Sequence, residues 1–414
     1  MRTLSEGDFK NKKTLVRVDF NVALGPKGEV VDDFRIVKTL PTIKFLAESG
    51  AIVVLMSHLE TEDGPASLRP VSRRLAELLG RPVKFLSDCV GEKTREEISG
   101  VGAGEIILLE NLRFHEGEKR NDAEFAVELA KNGDCYVNEA FSCCHRAHAS
   151  IAGVPRLLPS YGGMLLAEEI GSLRKVIKNP ARPLVAIIGG VKMDTKAKVI
   201  AAIAAIADHV LIGSKIGAEI LAHKQQIAGR EIFKFDSQAA EIDLTSPKIH
   251  LPIDAVMALK DASEGYSRIA GPGMMRGEEN IYDIGPETAK FFAEIIKDAK
   301  TIFFNGPMGW FERQEFSGGT RAVIEAISRT HGAWRAAGGG QTLEAIAKFK
   351  AEENFNFLST GGGAMLEYLA GNVLPGIAAL ENLPSGKNET PVIPMPLPAG
   401  GLSGDKKKNG RNEN

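Results

Sequence analysis

The sequence predicts an α/β protein built from two parallel-sheet domains joined by a hinge. Short apolar runs of buried-strand length alternate with helical patterns, and the same alternation restarts after a proline-marked break near residue 180. At 414 residues the chain also exceeds what one hydrophobic core usually covers. Apolar residues make up 43% and charged residues 25%, as in globular proteins generally.

Taken in order, the runs 14–20, 51–56, 105–109 and 135–137 read as strands, with helical patterns at 37–48 and 71–79 between them. They are apolar with little alternation, the mark of a parallel sheet covered on both faces. A charged helical stretch over 164–178 ends at Asn179-Pro180, with Pro183 close behind, and the boundary is placed there because proline stops a helix. Strands follow at 184–188, 209–212, 301–304 and 355–358, and helices at 193–206, 287–299, 322–329 and 364–369. From residue 381 the composition shifts: the last 34 residues hold five Pro, five Gly and Lys406-Lys407-Lys408, which reads as a disordered tail.

The bulk properties narrow the partners. A net charge of −2 gives no reason to expect nucleic acid or an anionic membrane. The longest apolar stretches are too short to span a bilayer, and Met1-Arg2-Thr3 leads into charged sequence without an apolar signal core. Four cysteines make no disulfide framework, so a cytoplasmic location is expected. Cys143-Cys144-His145 with His148 invites a zinc reading, yet adjacent cysteines rarely share one tetrahedral ion and no second pair has finger spacing.

In an open parallel sheet, ligands bind beyond the carboxyl ends of the strands. In the first half those ends carry Asp19 and Asn21, Ser57-His58, Asn111 and Arg113, then His145-Arg146-Ala147-His148, with Arg35 nearby. Three arginines and up to three histidines on one rim would receive a small polyanion, since the planar guanidinium donates two hydrogen bonds at once. Each alone is equally consistent with an ordinary surface charge. The second half offers glycine-rich turns instead: Gly189-Gly190-Val191-Lys192 with Lys196 four residues on, Gly338-Gly339-Gly340-Gln341-Thr342, and Ser359-Thr360-Gly361-Gly362-Gly363. Glycine admits a ligand close to the backbone, and helix N-termini present free N–H groups, which suits a chain of phosphates. Neither a Walker loop nor a dinucleotide fingerprint is present. An anion on one domain and a nucleotide on the other must meet in line and dry, so hinge closure is the expected motion.

Several segments resemble successive signatures of the phosphoglycerate kinase family. They are Arg17-Val18-Asp19-Phe20-Asn21-Val22, Asp32-Asp33-Phe34-Arg35-Ile36, Ser57-His58-Leu59, Leu109-Glu110-Asn111-Leu112-Arg113-Phe114-His115 and His145-Arg146-Ala147-His148-Ala149-Ser150. Gly189-Gly190-Val191-Lys192, Asp283-Ile284-Gly285-Pro286, Asn305-Gly306-Pro307-Met308-Gly309 with Phe311-Glu312, and Ser359-Thr360-Gly361-Gly362-Gly363-Ala364 continue the series in family order.

The resemblance implies that family's fold: two doubly wound, Rossmann-like parallel-sheet domains joined by a hinge. It divides the chain into a phosphoglycerate-binding domain (1–163), an interdomain helix and hinge (164–182), a nucleotide-binding domain (183–370), a segment returning toward the first domain (371–384) and the tail (385–414). It also implies a monomeric enzyme that interconverts 1,3-bisphosphoglycerate plus ADP with 3-phosphoglycerate plus ATP, using Mg²⁺. Asp19, Asn21, Arg35, His58, Thr61, Arg113 and Arg146 would line the phosphoglycerate site. Gly189, Lys192, Lys196, Gly213, Asn305, Pro307, Glu312, Gly339, Gly340, Gln341 and Thr342 would line the nucleotide site, and Arg35 and Lys192 would act on the phosphoryl group in flight. The acceptor is a carboxylate, so no general base is needed.

This chain departs from the family pattern in three places. Glu60, Thr61 and Glu62 follow Ser57-His58-Leu59 where the family has Gly-Arg-Pro, so an arginine is missing. Gly213-Ser214-Lys215 keeps only the first glycine of its turn, and Gln341 stands where the family has the aspartate that holds nucleotide-bound Mg²⁺. Two readings follow. One is a working kinase with a retuned nucleotide site; the other is a catalytically weak relative kept for binding or interaction.

Overall fold

In the computed structural model of the chain, residues 1–190, 196–217, 220, 232–234, 241–243, 246–260 and 266–381 are described. The Met1–Leu383 unit contains two six-stranded sheets. Lys192 and the tail from 382 onward lie outside the described residues.

The apolar runs form strands because both of their faces are covered. In Lys13–Arg17, Leu15 packs with Val54, Ile107 and Tyr136 on one face, and Val16 packs with Val53, Leu55 and Leu108 on the other. The parallel order is Lys84–Phe85, Ile106–Leu108, Ile52–Met56, Lys13–Arg17, Cys135–Asn138, Ser160–Gly162. Phe34–Glu48 and Arg69–Leu79 cover one face through Ile36, Ile43, Leu46, Val71 and Leu75. Met164–Ile177 and Ala123–Ala130 cover the other.

The second sheet runs Ile249–His250, His209–Ile212, Leu184–Ile188, Thr301–Asn305, Trp334–Gly338, Phe357–Ser359, again all parallel. Counted along the chain this order is 3-2-1-4-5-6, the doubly wound arrangement with its switch between Leu184–Ile188 and Thr301–Asn305. Three elements of this half differ from the sequence expectation. Trp334–Gly338 was not anticipated because alanine and arginine carry weak strand preference; burial between two strands overrides it. An antiparallel sheet, with Ala255–Leu259 between Ser267–Ala270 and Glu279–Ile284, fills a stretch with no clear alternation. Of the helix expected over 193–206 the described part is Ala197–Ile206, with Lys196 as its N-cap residue and not on its face; 193–195 lie outside the described residues.

The helix Met164–Ile177 serves both sheets. Glu139, just past the strand Cys135–Asn138, accepts from Leu165 N at 3.0 Å and Leu166 N at 3.4 Å, satisfying amide groups of its first turn. Further along, Glu169 accepts from Ser359 Oγ, Thr360 N and Thr360 Oγ1, each at 2.7 Å, which ties the helix to the end of the last strand of the second sheet. Burial pushes both carboxyls up to about 7, against those hydrogen bonds. Past the second sheet, Pro375–Glu381 packs on Ala149–Gly153, where Gly376 N donates to Cys144 O at 2.9 Å.

Helix Gly340–Lys348, which presents Gln341 and Thr342, ends in a Schellman motif. Lys350 N donates to Ala347 O at 3.0 Å and Ala351 N to Ile346 O at 3.0 Å. Lys350 holds φ = 54°, the left-handed conformation in which its Cβ is strained. Lys350→Gly is therefore expected to stabilise the fold by about 1 kcal/mol, read as a higher urea midpoint at unchanged slope. An unchanged or lower midpoint would show that the turn carries no such strain.

Candidate active site

The rim of the first sheet is built over a buried arginine. Arg17 ends its strand fully buried; Nε donates to Ser150 Oγ at 2.8 Å, Nη1 to Val18 O, and Nη2 to His58 Nδ1 at 3.3 Å. Ser150 passes the contact to the buried Glu118, its hydroxyl donating to Oε1 at 2.6 Å. Arginine only donates, so His58 Nδ1 is an acceptor and the neutral ring carries its proton on Nε2. Burial and then the Arg17 charge lower His58 to about 3. Burial likewise lowers His148 to about 4, helped by Arg113, and brings His145 down, helped by Arg146. The histidines expected to add positive charge are thus neutral at pH 7, and the arginines supply the charge.

Asp19 accepts from Arg35 and from Ser142 Oγ, with His58 Nδ1 at 3.7 Å. Burial pushes its carboxyl up, but the Arg35 charge, the Ser142 hydrogen bond and the Arg17 charge outweigh that and hold it below the usual range. The pair engages Nη1 of Arg35, whose side chain stays 37% exposed and available to a ligand. Asn21 accepts from Glu60 N at 2.8 Å. Arg113 is nearly buried, with Nη1 at 3.3 Å from Glu60, Nη2 at 3.5 Å from His148, and Nε buried without a partner. Arg146 Nε donates to His145 Nε2 at 3.2 Å. Thr61 stands apart, in an exposed hairpin where its hydroxyl donates to Gly64 O at 3.0 Å. Asn111 is scaffold: its amide nitrogen donates to Leu59 O and Ala66 O at 2.6 and 2.7 Å, fixing the 57–68 loop. Cys143 and Cys144 are buried, and burial raises both thiols.

The second rim lies at the switch point of its sheet. Gly189 and Gly306 press together so closely that a side chain on either would strike the opposite backbone. Lys196 Nζ donates to Gly189 O and, at 3.1 Å, to Asn305 O; burial brings it down to about 7. Thr342 Oγ1 accepts from Gly306 N at 2.7 Å, and Asn305 Nδ2 donates to Gly338 O, leaving Asn305 Oδ1 buried without a partner. Gly213 N donates to Ile188 O at 2.9 Å beside Met308, and Gly339 sits at φ = 101° against Asn305. Pro307 is buried, whereas Gly340 and Gln341 are exposed at the helix start.

Beside them opens a cavity of about 500 Å³, lined among others by Lys215, Tyr282, Trp310, Glu312 and Gln341. Sequence reasoning missed Trp310 and Tyr282, whose rings lie 5.7 Å apart on its wall; an aromatic at the end of a glycine-proline turn was the available signal. It also missed Lys348, which donates to Phe311 O and Glu312 O at 2.9 Å and fixes the loop bearing Glu312.

Fixed cations on one sheet, and helix N-termini over a cavity on the other, suit the transfer of a phosphoryl group between two anionic partners. The class is a two-sheet phosphotransferase. Comparison with known proteins narrows it: the phosphoglycerate kinase family model matches residues 4–372. A phosphoglycerate kinase of Dictyoglomus turgidum is 42% identical over 92% of this chain and 98% of its own length. One of Thermosipho africanus is 41% identical over 92% and 98%. The solved phosphoglycerate kinase of Pyrococcus horikoshii superposes with a TM-score of 0.79 at 32% identity, covering 92% of this chain and 98% of that one. The chain belongs to the phosphoglycerate kinase family and is a phosphotransferase with a carboxyl group as acceptor.

Lys196 generates a test. A phosphate chain beside Nζ favours its charged form, so binding at pH 8 must bring in a proton that the unliganded lysine, at about 7, lacks. ADP binding at pH 8 is expected to take up roughly one proton per nucleotide, falling toward none at pH 6. Calorimetry in buffers of different ionisation enthalpy measures it, and Lys196→Met should abolish it. Heats independent of the buffer at pH 8 would remove Lys196 from the phosphate site.

Proposed function

We propose that the chain catalyses 1,3-bisphosphoglycerate + ADP ⇌ 3-phosphoglycerate + ATP, with the triose on the arginine rim and the nucleotide in the glycine-lined cradle. The observation that carries this reading is the pairing of an exposed, Asp19-anchored Arg35 on one sheet with the Gly189–Gly306 cradle and Lys196 on the other. Both lie at carboxyl ends of parallel strands, where ligands of such sheets bind.

In the direction of ATP use the acceptor is an ionised carboxylate, so the protein has no proton to remove. Its task is positioning and cancelling charge on the oxygens of the group in flight. Arg113 and Arg146 hold the anionic triose, and neutral His58 donates from Nε2. Arg35 is oriented by Asp19 and donates to the transferring phosphoryl. The family resemblance gives Lys192 the same task. Lys196 and the start of helix Gly340–Lys348 receive the nucleotide phosphates. Glu312, on the loop held by Lys348, meets the ribose, and the base lies along Tyr282 and Trp310.

Gln341 offers a neutral carbonyl oxygen where a carboxylate would be expected for Mg²⁺, and Asn305 Oδ1 adds a second neutral acceptor. Such donors fit an ion that arrives on the nucleotide phosphates and keeps its waters, and not one resident in the protein. When bound, it would neutralise phosphate charge. We place the reaction in the cytoplasm of a cell, carried out by a monomer with domains 1–163 and 183–370 closing about the 164–182 hinge. Among the described residues no helix is long and apolar enough to cross a membrane.

Two variants test the assignment in a coupled turnover assay. Arg35→Ala should lower kcat by about 10²–10³, or roughly 3–4 kcal/mol of barrier, and change substrate affinity far less. Near wild-type turnover would remove Arg35 from the transferring group. Gln341→Asp should lower the Mg²⁺ concentration giving half-maximal rate by about tenfold or more. An unchanged Mg²⁺ dependence would mean that Gln341 does not face the ion.

A further inference from the structure

Where the family carries Gly-Arg, this chain carries Glu60-Thr61, and the structure gives that exchange a specific geometry. The Glu60 main chain is fixed by Asn21, a residue of the triose rim. Its carboxylate Oε1 lies 2.6 Å from Lys119 Nζ and 3.3 Å from Arg113 Nη1. Lys119, from the short helix Glu116–Arg120, is 53% exposed, whereas Arg113 is only 4% exposed. The bond to Lys119, with the charges of Arg113 and Arg146, holds the Glu60 carboxyl below its usual range despite partial burial. Arg113 has no other acidic partner among the ion pairs of the described residues. Without Glu60, Arg113 would lose its only ion pair among the described residues, and a nearly buried cation left unpaired is costly.

We propose that Glu60 is a resident anion in the triose half-site, displaced from Arg113 and Lys119 by the substrate phosphate, and that Lys119 supplies the cation that Thr61 lacks. A phosphate brings nearly twice the charge of a carboxylate and three acceptor oxygens, so it outcompetes Glu60 for the same donors. Lys119 suits the handover because a flexible, half-exposed ammonium can follow the incoming oxygens without a fixed fork geometry. Substrate affinity is then set by a difference between two anions and not by the cations alone.

The inference rests on the phosphoglycerate reading, and one series of measurements separates the two. Binding of 3-phosphoglycerate to the full-length chain is measured by calorimetry, alongside KM and kcat in the coupled assay. Glu60→Gln keeps shape and removes charge, and Glu60→Gly removes the side chain. Both should tighten 3-phosphoglycerate binding by about tenfold, with KM moving more than kcat. Lys119→Ala should weaken binding by about tenfold. A strut that merely orients Arg113 predicts the opposite for Glu60, since losing it would weaken binding. Unchanged or weaker binding in both Glu60 variants overturns the displacement, and unchanged binding in Lys119→Ala overturns the lysine's role. If the wild type neither binds nor turns over 3-phosphoglycerate, the functional reading itself falls.

Discussion

The arrangement turns on a buried carboxylate. Glu169 sits on a helix packed against the first sheet and accepts from Ser359 and Thr360 at the edge of the second. Three donors at 2.7 Å offset part of the cost of burying the group, and the acid in turn satisfies an amide and two hydroxyls that would otherwise be stranded. Glu139 does the corresponding work at the helix N-terminus. The start of helix Gly362–Leu369 and the core from Leu173 to Leu184 are placed by this helix.

Charge is divided unequally between the two rims, and the chemistry accounts for it. A carboxylate acceptor needs no base, so nothing in the first rim has to titrate near neutrality. Arg17, buried beneath it, helps keep His58 neutral and Asp19 ionised, so the positive charge of the rim rests on its arginines. The second rim presents close-packed glycines, a helix N-terminus and a lysine whose charge burial disfavours.

Much of this was legible in the sequence. The strands 184–188 and 209–212 match to the residue, because continuous apolar runs between turn residues have few alternatives. Asp19, Arg35, His58, Arg113 and Arg146 gather on one rim, as residues placed just past parallel strands must. What was not legible depends on tertiary context. Trp334–Gly338 is a strand only because two neighbours bury it, and Arg17 looked like one more motif residue until its burial under His58 was seen. The departures read as losses from sequence alone. In space, Glu60 reaches Lys119 as well as Arg113, and no linear pattern pairs residues 60 and 119.

The central claim is that neither half-site is competent alone and that the two must meet. Small-angle scattering on the full-length chain tests it directly, with 3-phosphoglycerate alone, a non-hydrolysable ATP analogue with Mg²⁺ alone, and both together. The account requires the radius of gyration to contract when both are bound by more than the two single-ligand changes combined. A chain that turns over substrate yet keeps the same radius in all four states would contradict it.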